Sequence, residues 1–113
     1  MTKGGKEMIF NHMDRIVFAG DSVTDMESAQ PVGEGLFENV GKSYVRIVEN
    51  MLAAFYPEVY LRVTNSGIGG NTSRDLLQRF DRDVVSLKPD WVSICIGIND
   101  GSFIAAGVFG PFL

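Results

Sequence analysis

The amino-acid sequence predicts an α/β domain with a parallel sheet, in the order strand, helix, strand, helix, strand. Three short apolar runs of strand length alternate with two longer segments whose apolar residues recur at helical spacing. Each apolar run is followed by a polar loop that contains glycine. At 113 residues, the chain is long enough for one domain with a hydrophobic core.

The first predicted strand covers residues 15–20 and ends at Gly20, a residue that favours turns. A polar, glycine-bearing loop follows it. The first predicted helix covers about residues 38–55, and Pro57 ends it. Its buried face is expected to consist of the apolar residues that recur at helical spacing: Tyr44, Ile47, Val48, Met51, Leu52 and Phe55.

The second predicted strand covers residues 59–63 and is followed by a turn-rich loop at residues 65–71. The second predicted helix starts near Thr72, and Asp75 is placed to complete a capping box. We expect Asp75 and Arg79 to form an exposed i,i+4 pair. The buried face of this helix is expected to consist of Leu76, Leu77, Phe80, Val84 and Leu87.

The third predicted strand covers residues 91–96 and follows Pro89, which ends the second helix. It is apolar on both faces, which is typical of a parallel strand that is covered on both sides. It contains Cys95, the only cysteine, so no internal disulfide can form, and we expect a small buried side chain. Right-handed crossover connections between the three strands make the sheet parallel.

The composition is that of an ordinary globular protein, with 45% hydrophobic and 21% charged residues. The net charge of −4 and the sequence pI near 4.8 argue against a nucleic-acid partner and an anionic membrane surface. Residues 1–14 lack the apolar core of a signal peptide, and no segment approaches the roughly 18 apolar residues of a membrane span. We therefore expect a cytoplasmic protein.

Three polar loops carry the chemistry that the sequence predicts. They follow the three strands at residues 20–22, 67–71 and 97–100. In a parallel sheet all three lie at the same edge, where ligands bind in open α/β folds. Acyl transfer needs a nucleophile and N–H donors in that arrangement, which makes Ser22 a candidate nucleophile. The alternative is that Ser22 caps a helix together with Asp25, in the spacing Ser-x-x-Asp.

Each loop contains a short motif, and the three motifs occur in order along the chain. They are Gly20-Asp21-Ser22, the run NSGIGGNT at residues 65–72 and the run GIND at residues 97–100. Together they resemble the motifs of the SGNH hydrolases, the GDSL-type esterase and lipase superfamily. The resemblance covers residues 15–100 and implies a three-layer α/β/α flavodoxin-like fold whose parallel sheet has the strand order 2-1-3-4-5.

The resemblance also implies roles for five residues. Ser22 would be the nucleophile, and its backbone N–H would be one of three oxyanion donors. The other two donors would be the Gly70 N–H and the side-chain amide of Asn99. We expect Asp21 and Asp100 to support the site by orienting their loops through hydrogen bonds. The resemblance implies no metal and no organic cofactor.

The family takes its catalytic base from an Asp-x-x-His motif near the C-terminus, which these 113 residues do not contain. The only histidine, His12, precedes the first strand and is expected to lie more than roughly 20 Å from Ser22. We therefore expect the N-terminal part of a hydrolase, truncated after the third strand and inactive alone, with self-association through the open strand edge. Residues 1–14 are interpreted as a flexible tail, and residues 101–113 as an apolar, glycine-rich tail of uncertain structure.

These observations predict a serine ester hydrolase that cleaves acyl esters through an acyl-enzyme. Acetyl esters of carbohydrates are favoured over long lipids, because the chain shows no lipid-binding stripe. Two alternatives stay open: a non-catalytic α/β module for binding or assembly, and a nucleotide-binding half-domain. The glycine run before the second helix suggests the latter, and in this run we expect Gly67 and Gly69 to have positive φ.

Overall fold

The computed structural model describes residues 2–3, 6–7, 9–35 and 39–105. Its strands are β1 (Thr2–Lys3), β2 (Lys6–Glu7), β3 (Arg15–Gly20), β4 (Gly33–Glu34), β5 (Arg62–Gly67) and β6 (Trp91–Cys95). Its α-helices are α1 (Ser22–Asp25), α2 (Tyr44–Phe55), α3 (Ser73–Asp83) and α4 (Ile98–Ala105). Short 3-10 turns occur at Pro57–Val59 and Val85–Leu87.

Four of these strands form one sheet in the order β4-β5-β3-β6, and β1 and β2 form a separate antiparallel pair. β5 and β6 both run parallel to β3, whereas β4 runs antiparallel to β5. Helices α2 and α3 pack on opposite faces of the sheet. The predicted α/β class, the parallel sheet and the order 2-1-3 of the three predicted strands are therefore confirmed.

β3 lies inside the sheet, and its side chains alternate between two hydrophobic clusters. Ile16 and Phe18 belong to the cluster beneath α2, whose other buried members are Val40, Val45 and Val63. Val17 and Ala19 belong to the cluster beneath α3, together with Leu76 and Val84. Because both of its faces are buried, the sequence of β3 is a continuous apolar run.

The second strand begins later than predicted, at Arg62. Pro57–Val59 forms a 3-10 turn, and Tyr60 has a left-handed backbone with φ 52°, which interrupts the extended chain. β5 then continues into the predicted loop, where Asn65 and Ser66 are fully buried. Their side chains make hydrogen bonds inside the domain. These polar residues predicted a loop, but they lie at the buried end of a strand.

β4 is a short strand that the sequence did not predict. Its Glu34 accepts hydrogen bonds from Arg62 Nη2 at 2.9 Å and from the Thr64 hydroxyl, and it lies 3.3 Å from Arg15 Nε. One carboxylate thus compensates two arginines across three neighbouring strands. A strand of two residues is too short to produce a periodic pattern, so these contacts could not be read from the sequence.

Both long helices are shorter than predicted, and each has apolar residues on its surface that do not pack against the sheet. α2 begins at Tyr44 with Ser43 as its N-cap, and α3 ends at Asp83. α2 packs on β3 and β5, so part of its apolar face has no packing partner among the described residues. Three residues of its predicted buried face are therefore exposed: Ile47, Met51 and Phe55. On α3, Leu77 is also exposed, although it was predicted to be buried.

β6 is an edge strand of the described sheet, since β3 is its one partner there. The prediction that this strand is covered on both faces is wrong: Trp91, Val92 and Ile94 are 39%, 41% and 55% exposed. Cys95, predicted to be buried, is exposed as well. Self-association through this edge stays a prediction.

The segment before β3 packs against the sheet, although the sequence predicts a flexible tail there. The rings of Phe10 and Trp91 meet edge to face with their centroids 5.2 Å apart. Asp14 is buried and accepts a hydrogen bond from Trp91 Nε1 at 3.0 Å. At the other end, α4 extends to Ala105, while residues 106–113 of the predicted apolar tail lie outside the described residues. Within the described part of the chain, no helix is long and apolar enough to span a membrane.

The folded domain is expected to lose stability in acid, because the partly buried carboxylate of Glu34 and the buried carboxylate of Asp83 have lowered pKa values. Burial alone would raise the pKa of Glu34, but hydrogen bonds from Thr64 and Arg62 and the arginine charges hold it below its ordinary value of 4.5. A hydrogen bond from Arg82 is the main cause that lowers the pKa of Asp83 below its ordinary value of 3.8. Each group therefore stabilises the fold above its unfolded-state pKa, and this contribution is lost as pH falls through the folded-state pKa.

Thermal unfolding, followed from neutral pH to about pH 2, checks this expectation. Glu34→Gln is expected to lower Tm at neutral pH and to flatten its decrease below about pH 4.5, where the wild-type carboxylate becomes protonated. Asp83→Asn is expected to flatten the more acidic part of the same curve. If both variants keep the wild-type slope, other groups govern the acid sensitivity.

Candidate active site

The three parallel strands end at the same level. Gly20, the last residue of β3, is opposite both Gly67 of β5 and Cys95 of β6. The loops that follow these strands therefore leave the sheet side by side at its carboxyl edge, where open α/β folds bind their ligands. The sequence predicted this convergence from the order of strands and loops alone.

Ser22 lies on a tight turn that carries the chain from β3 into α1. It is the first residue of α1, and its side chain is exposed. The N-cap is Asp21, which is buried and whose carboxylate accepts the Val23 N–H at 3.0 Å. The alternative that Ser22 caps the helix is therefore wrong, because Asp21 occupies the capping position. The Ser22 hydroxyl is presented to solvent at the sheet edge.

Two glycines at the strand ends make room for α1. A Cβ atom on Gly67 would lie 2.6 Å from Asp25 N and 2.9 Å from Thr24 Cβ. A Cβ atom on Gly20 would collide with the Cys95 carbonyl oxygen and would lie 2.5 Å from Thr24 Oγ1. These distances are shorter than van der Waals contact, so both positions need glycine for space.

The second loop passes beside the candidate nucleophile. The positive φ values expected of Gly67 and Gly69 are wrong, and the glycine of this loop with a positive φ is Gly70, at 82°. A Cβ atom added to Gly69 would lie 3.8 Å from Ser22 Cβ, which is ordinary contact. The left-handed backbone that favours glycine thus occurs at the residue whose N–H the resemblance assigns to the oxyanion hole.

Hydrogen bonds fasten the second loop to the turn before α1. The Ile68 N–H donates to the Gly20 carbonyl at 3.1 Å, and the Gly69 N–H donates to Asp25 Oδ2 at 3.3 Å. The fully buried Asn65 side chain donates to a carbonyl oxygen within α1 at 2.7 Å. The first and second loops therefore form one connected unit.

Most of the predicted third loop is helical, because Asn99 and Asp100 lie in the first turn of α4. These two residues join the third loop to the second. Asn99 Nδ2 donates to the Asn71 carbonyl at 2.9 Å, and Asp100 accepts from the Ser73 N–H at 2.9 Å and from its hydroxyl at 2.7 Å. The hydrogen bonds from Ser73 lower the pKa of Asp100 below its ordinary value. A primary amide has two N–H groups, so Asn99 can hold Asn71 with one and offer the other to a substrate oxygen.

The structure thus brings Ser22, Gly70 and Asn99 to one edge of the sheet, and hydrogen bonds donated to the carboxylates of Asp21 and Asp100 orient the segments that carry them. The roles of these residues as nucleophile and oxyanion donors stay predictions. The described residues contain no group of three or more His, Cys, Asp or Glu side chains placed to hold a metal ion.

His12 lies at the opposite edge of the sheet. Its side chain is exposed, with Nδ1 3.3 Å from the Glu58 carbonyl oxygen and the ring 5.5 Å from that of Tyr60. Both neighbours precede Arg62, the first residue of β5, whereas Ser22 follows the carboxyl end of β3. The sequence correctly placed this histidine away from the candidate nucleophile.

Arg79 is the residue at this edge that sequence reasoning missed. The predicted capping box of Thr72 and Asp75 is confirmed, but the predicted exposed pair of Asp75 and Arg79 is wrong, because Arg79 is 7% exposed. Arg79 and Asp83 follow the buried Leu76 by three and seven residues, which places all three on one face of α3. That spacing was the sequence signal for two buried charged residues.

A parallel sheet between helices, with an exposed serine on the turn after an inner strand, defines an α/β domain with the architecture of a serine hydrolase. A sequence model of the GDSL-like Lipase/Acylhydrolase family matches residues 18–110 of the chain. The chain belongs to this family.

Known proteins are similar to this chain in both sequence and fold. An acetylxylan esterase of Geobacillus stearothermophilus is 54% identical over 87 residues, which are 77% of this chain and 40% of the relative. A crystal structure of an acetylxylan esterase from that organism aligns with a TM-score of 0.84 and 48% identity, over 90% of this chain and 47% of that chain. An α/β hydrolase enzyme from the metagenome of Lake Arreo, Spain, aligns with a TM-score of 0.83 and 41% identity, over 91% and 48%. The chain spans less than half the length of each of these relatives.

Proposed function

We propose that this chain forms the nucleophile and oxyanion part of a serine ester hydrolase. The observation that carries the proposal is the meeting of three loops at one sheet edge, with Ser22 on the first, Gly70 on the second and Asn99 on the third. Membership of a family of lipases and acylhydrolases supports the same reaction class. The chemistry needs no metal and no organic cofactor.

In the proposed reaction, a base takes the proton of the Ser22 hydroxyl as its oxygen attacks the carbonyl carbon of an ester. The carbonyl oxygen gains negative charge, which the N–H groups of Ser22 and Gly70 and the Asn99 amide stabilise. The alcohol leaves with a proton returned by the base, and the acyl group stays on Ser22 Oγ. Water, deprotonated by the same base, then attacks the acyl-enzyme; the base returns this proton to Ser22 Oγ as the acid is released.

The base is proposed to be a histidine outside these residues, because His12 lies at the opposite edge of the sheet. Structures of the Geobacillus acetylxylan esterase include catalytic mutants in which a serine, an aspartate or a histidine is replaced by alanine. In that protein the aspartate and the histidine are three positions apart, which is the Asp-x-x-His spacing. A pair of the same kind would complete the site formed by this chain.

Acetyl groups on a xylan-type carbohydrate are the proposed substrate. The support is the 54% identity to a protein named as an acetylxylan esterase, over a segment that includes most of this chain. The three motif loops lie within residues 18–110, the part of the chain that matches the family. The identity to the acetylxylan esterase favours a carbohydrate ester over a long-chain lipid as the proposed ligand.

A chimera tests this proposal. Residues 1–105 of this chain replace the matching N-terminal part of the Geobacillus esterase, whose remaining part supplies the aspartate and the histidine. The chimera is expected to hydrolyse p-nitrophenyl acetate and to release acetate from acetylated xylo-oligosaccharides, whereas this chain alone is expected to do neither. A fluorophosphonate probe is expected to label Ser22 in the chimera alone.

Three outcomes would contradict parts of the proposal. Hydrolysis by the chain alone, at a rate near that of the chimera, would contradict the need for an added base. A folded chimera that neither turns over ester nor takes the probe would favour the non-catalytic binding module. Faster hydrolysis of p-nitrophenyl palmitate than of p-nitrophenyl acetate would contradict the proposed acetyl substrate.

A further inference from the structure

The guanidinium of Arg79 lies buried beneath the sheet edge and makes five contacts, as many as it has N–H donors. Nε donates to Asn71 Oδ1 at 2.6 Å. Nη1 donates to Ser66 Oγ at 3.0 Å and to Asp83 Oδ2 at 3.3 Å. Nη2 donates to the carbonyl oxygens of Ser66 and Gly20, at 2.8 Å and 3.1 Å. The side chain therefore uses its full donor capacity inside the domain.

These contacts reach the roots of the loops that form the candidate site. The Gly20 carbonyl lies two residues before Ser22, and Ser66 lies where β5 leads into the second loop. Asn71 directly follows the predicted oxyanion glycine, and its own carbonyl accepts the Asn99 amide at 2.9 Å. One rigid, planar group thus links the first loop to the second directly, and to the third through Asn71.

We propose that Arg79 is a positioning residue for the candidate active site, fixing the nucleophile turn relative to both oxyanion loops. It acts through the backbone of Gly20 and the side chain of Asn71. The inference rests on the proposed function, because the placement of these loops affects catalysis only if they carry it. A displacement of about 1 Å between reacting groups can cost about 10²-fold in rate, so a linker of this kind matters for turnover.

The distribution of the contacts favours positioning over a simple ion pair. One of the five Arg79 contacts reaches the Asp83 carboxylate, and at 3.3 Å it is the longest of them. The exposed Arg82 binds the same carboxylate through two shorter contacts, at 2.6 Å and 3.0 Å. The other four contacts reach Gly20, Ser66 and Asn71, at the ends of the strands and in the second loop, so they are the better account of this arginine.

Arg79→Lys in the chimera tests the proposal. Lysine keeps the charge, but its three donors share one nitrogen. It therefore cannot replace both Nη2, which holds the Gly20 and Ser66 carbonyls, and Nε, which holds Asn71. We expect kcat to fall about 10²-fold while KM stays within about twofold, because the substrate-binding surface is retained. The matched control is Arg82→Lys, which alters the same residue type on the same helix with the same Asp83 partner, and it is expected to leave both constants unchanged.

Asn71→Ala covers the case in which Arg79→Lys fails to fold. It removes the Nε contact of Arg79 and keeps the other four, together with the backbone carbonyl that holds Asn99. We expect kcat to fall about tenfold without a matching loss of Tm. Unchanged turnover in this variant would contradict the link from Arg79 to the second loop.

Hydrogen exchange in this chain provides a readout that needs no catalysis. Arg79→Lys is expected to accelerate exchange of the Ile68 amide, which donates to the Gly20 carbonyl, and of the Asn99 side-chain amide. Arg82→Lys is expected to change neither. If the chimera shows no Ser22-dependent hydrolysis, the proposed function fails, and this exchange pattern alone decides the role of Arg79.

Two results would overturn the inference. The first is a general acceleration of exchange across the centres of β3 and β5, which would show that Arg79 only stabilises the fold. The second is a kcat for Arg79→Lys equal to that of Arg82→Lys in a folded chimera. Local acceleration at the loops together with a selective loss of kcat would establish the positioning role.

Discussion

Replacing Ser22 by alanine is expected to reduce acetyl-ester hydrolysis by the chimera at least about 10⁴-fold. Alanine has no oxygen that could attack the ester or carry the acyl group, so the covalent route is lost completely. The residual rate would come from substrate binding and from the oxyanion donors, which Ser22→Ala leaves in place, including the backbone N–H of residue 22. KM should therefore change far less than kcat.

The same substitution is expected to leave the fold intact, because the Ser22 side chain is exposed and Asp21 caps α1. Ser86→Ala is the matched control: Ser86 is also exposed, and its hydroxyl donates to the Arg82 carbonyl on the far part of α3. Initial rates and Tm are measured for both variants. Retention of more than about a tenth of the wild-type kcat in Ser22→Ala would contradict its assignment as nucleophile.

The part of the site that the sequence predicts best is the part built from backbone turns. A glycine after an apolar run marks the end of a strand, as Gly20 and Gly97 do, whereas the end of β5 at Gly67 lies inside the segment predicted as a loop. The parallel topology then places their loops together without any knowledge of side-chain contacts. Residue type and order along the chain therefore suffice to locate Ser22 and Asn99 at one edge.

The supporting network could not be predicted in the same way, because it consists of polar residues in buried positions. Asn65, Ser66 and Arg79 are types that a pattern assigns to loops or to solvent-exposed faces. Each is buried here because the acceptors or donors it needs lie on a neighbouring helix or strand that is distant in sequence. Such pairings appear only once the strands have been placed in register.

Apolar patterning overestimated burial for a related reason. The spacing of Ile47, Met51 and Phe55 shows that one face of α2 is apolar, but it does not show what covers that face. In the described structure these side chains are exposed, as are Val92 and Ile94 on β6. The spacing of apolar residues shows that a helix face or strand face is apolar. Which other part of the molecule packs on that face is seen only in the three-dimensional structure.

Gly67→Ala is expected to destabilise the fold around the site. The added methyl group would lie 2.6 Å from Asp25 N, 2.9 Å from Thr24 Cβ and 3.0 Å from the Asp21 carbonyl oxygen. Two of these atoms belong to the backbone of the nucleophile turn, so no side-chain rotation can relieve the overlap. We expect the free energy of unfolding to fall by about 3 kcal/mol and α1 to move away from the strand ends.

Gly69→Ala provides the matched control, two residues further along the same loop. Its added methyl group would lie 3.8 Å from Ser22 Cβ and from Asp25 Oδ2, and the φ of Gly69 is not positive. The free energy of unfolding should therefore fall by less than about 0.5 kcal/mol. Urea unfolding of both variants measures the difference, and chimera kinetics report whether α1 has moved. Equal stability of the two variants would show that α1 can shift at no cost. In that case the tight packing of the Ser22 turn on β5 could not be what holds the candidate nucleophile in place.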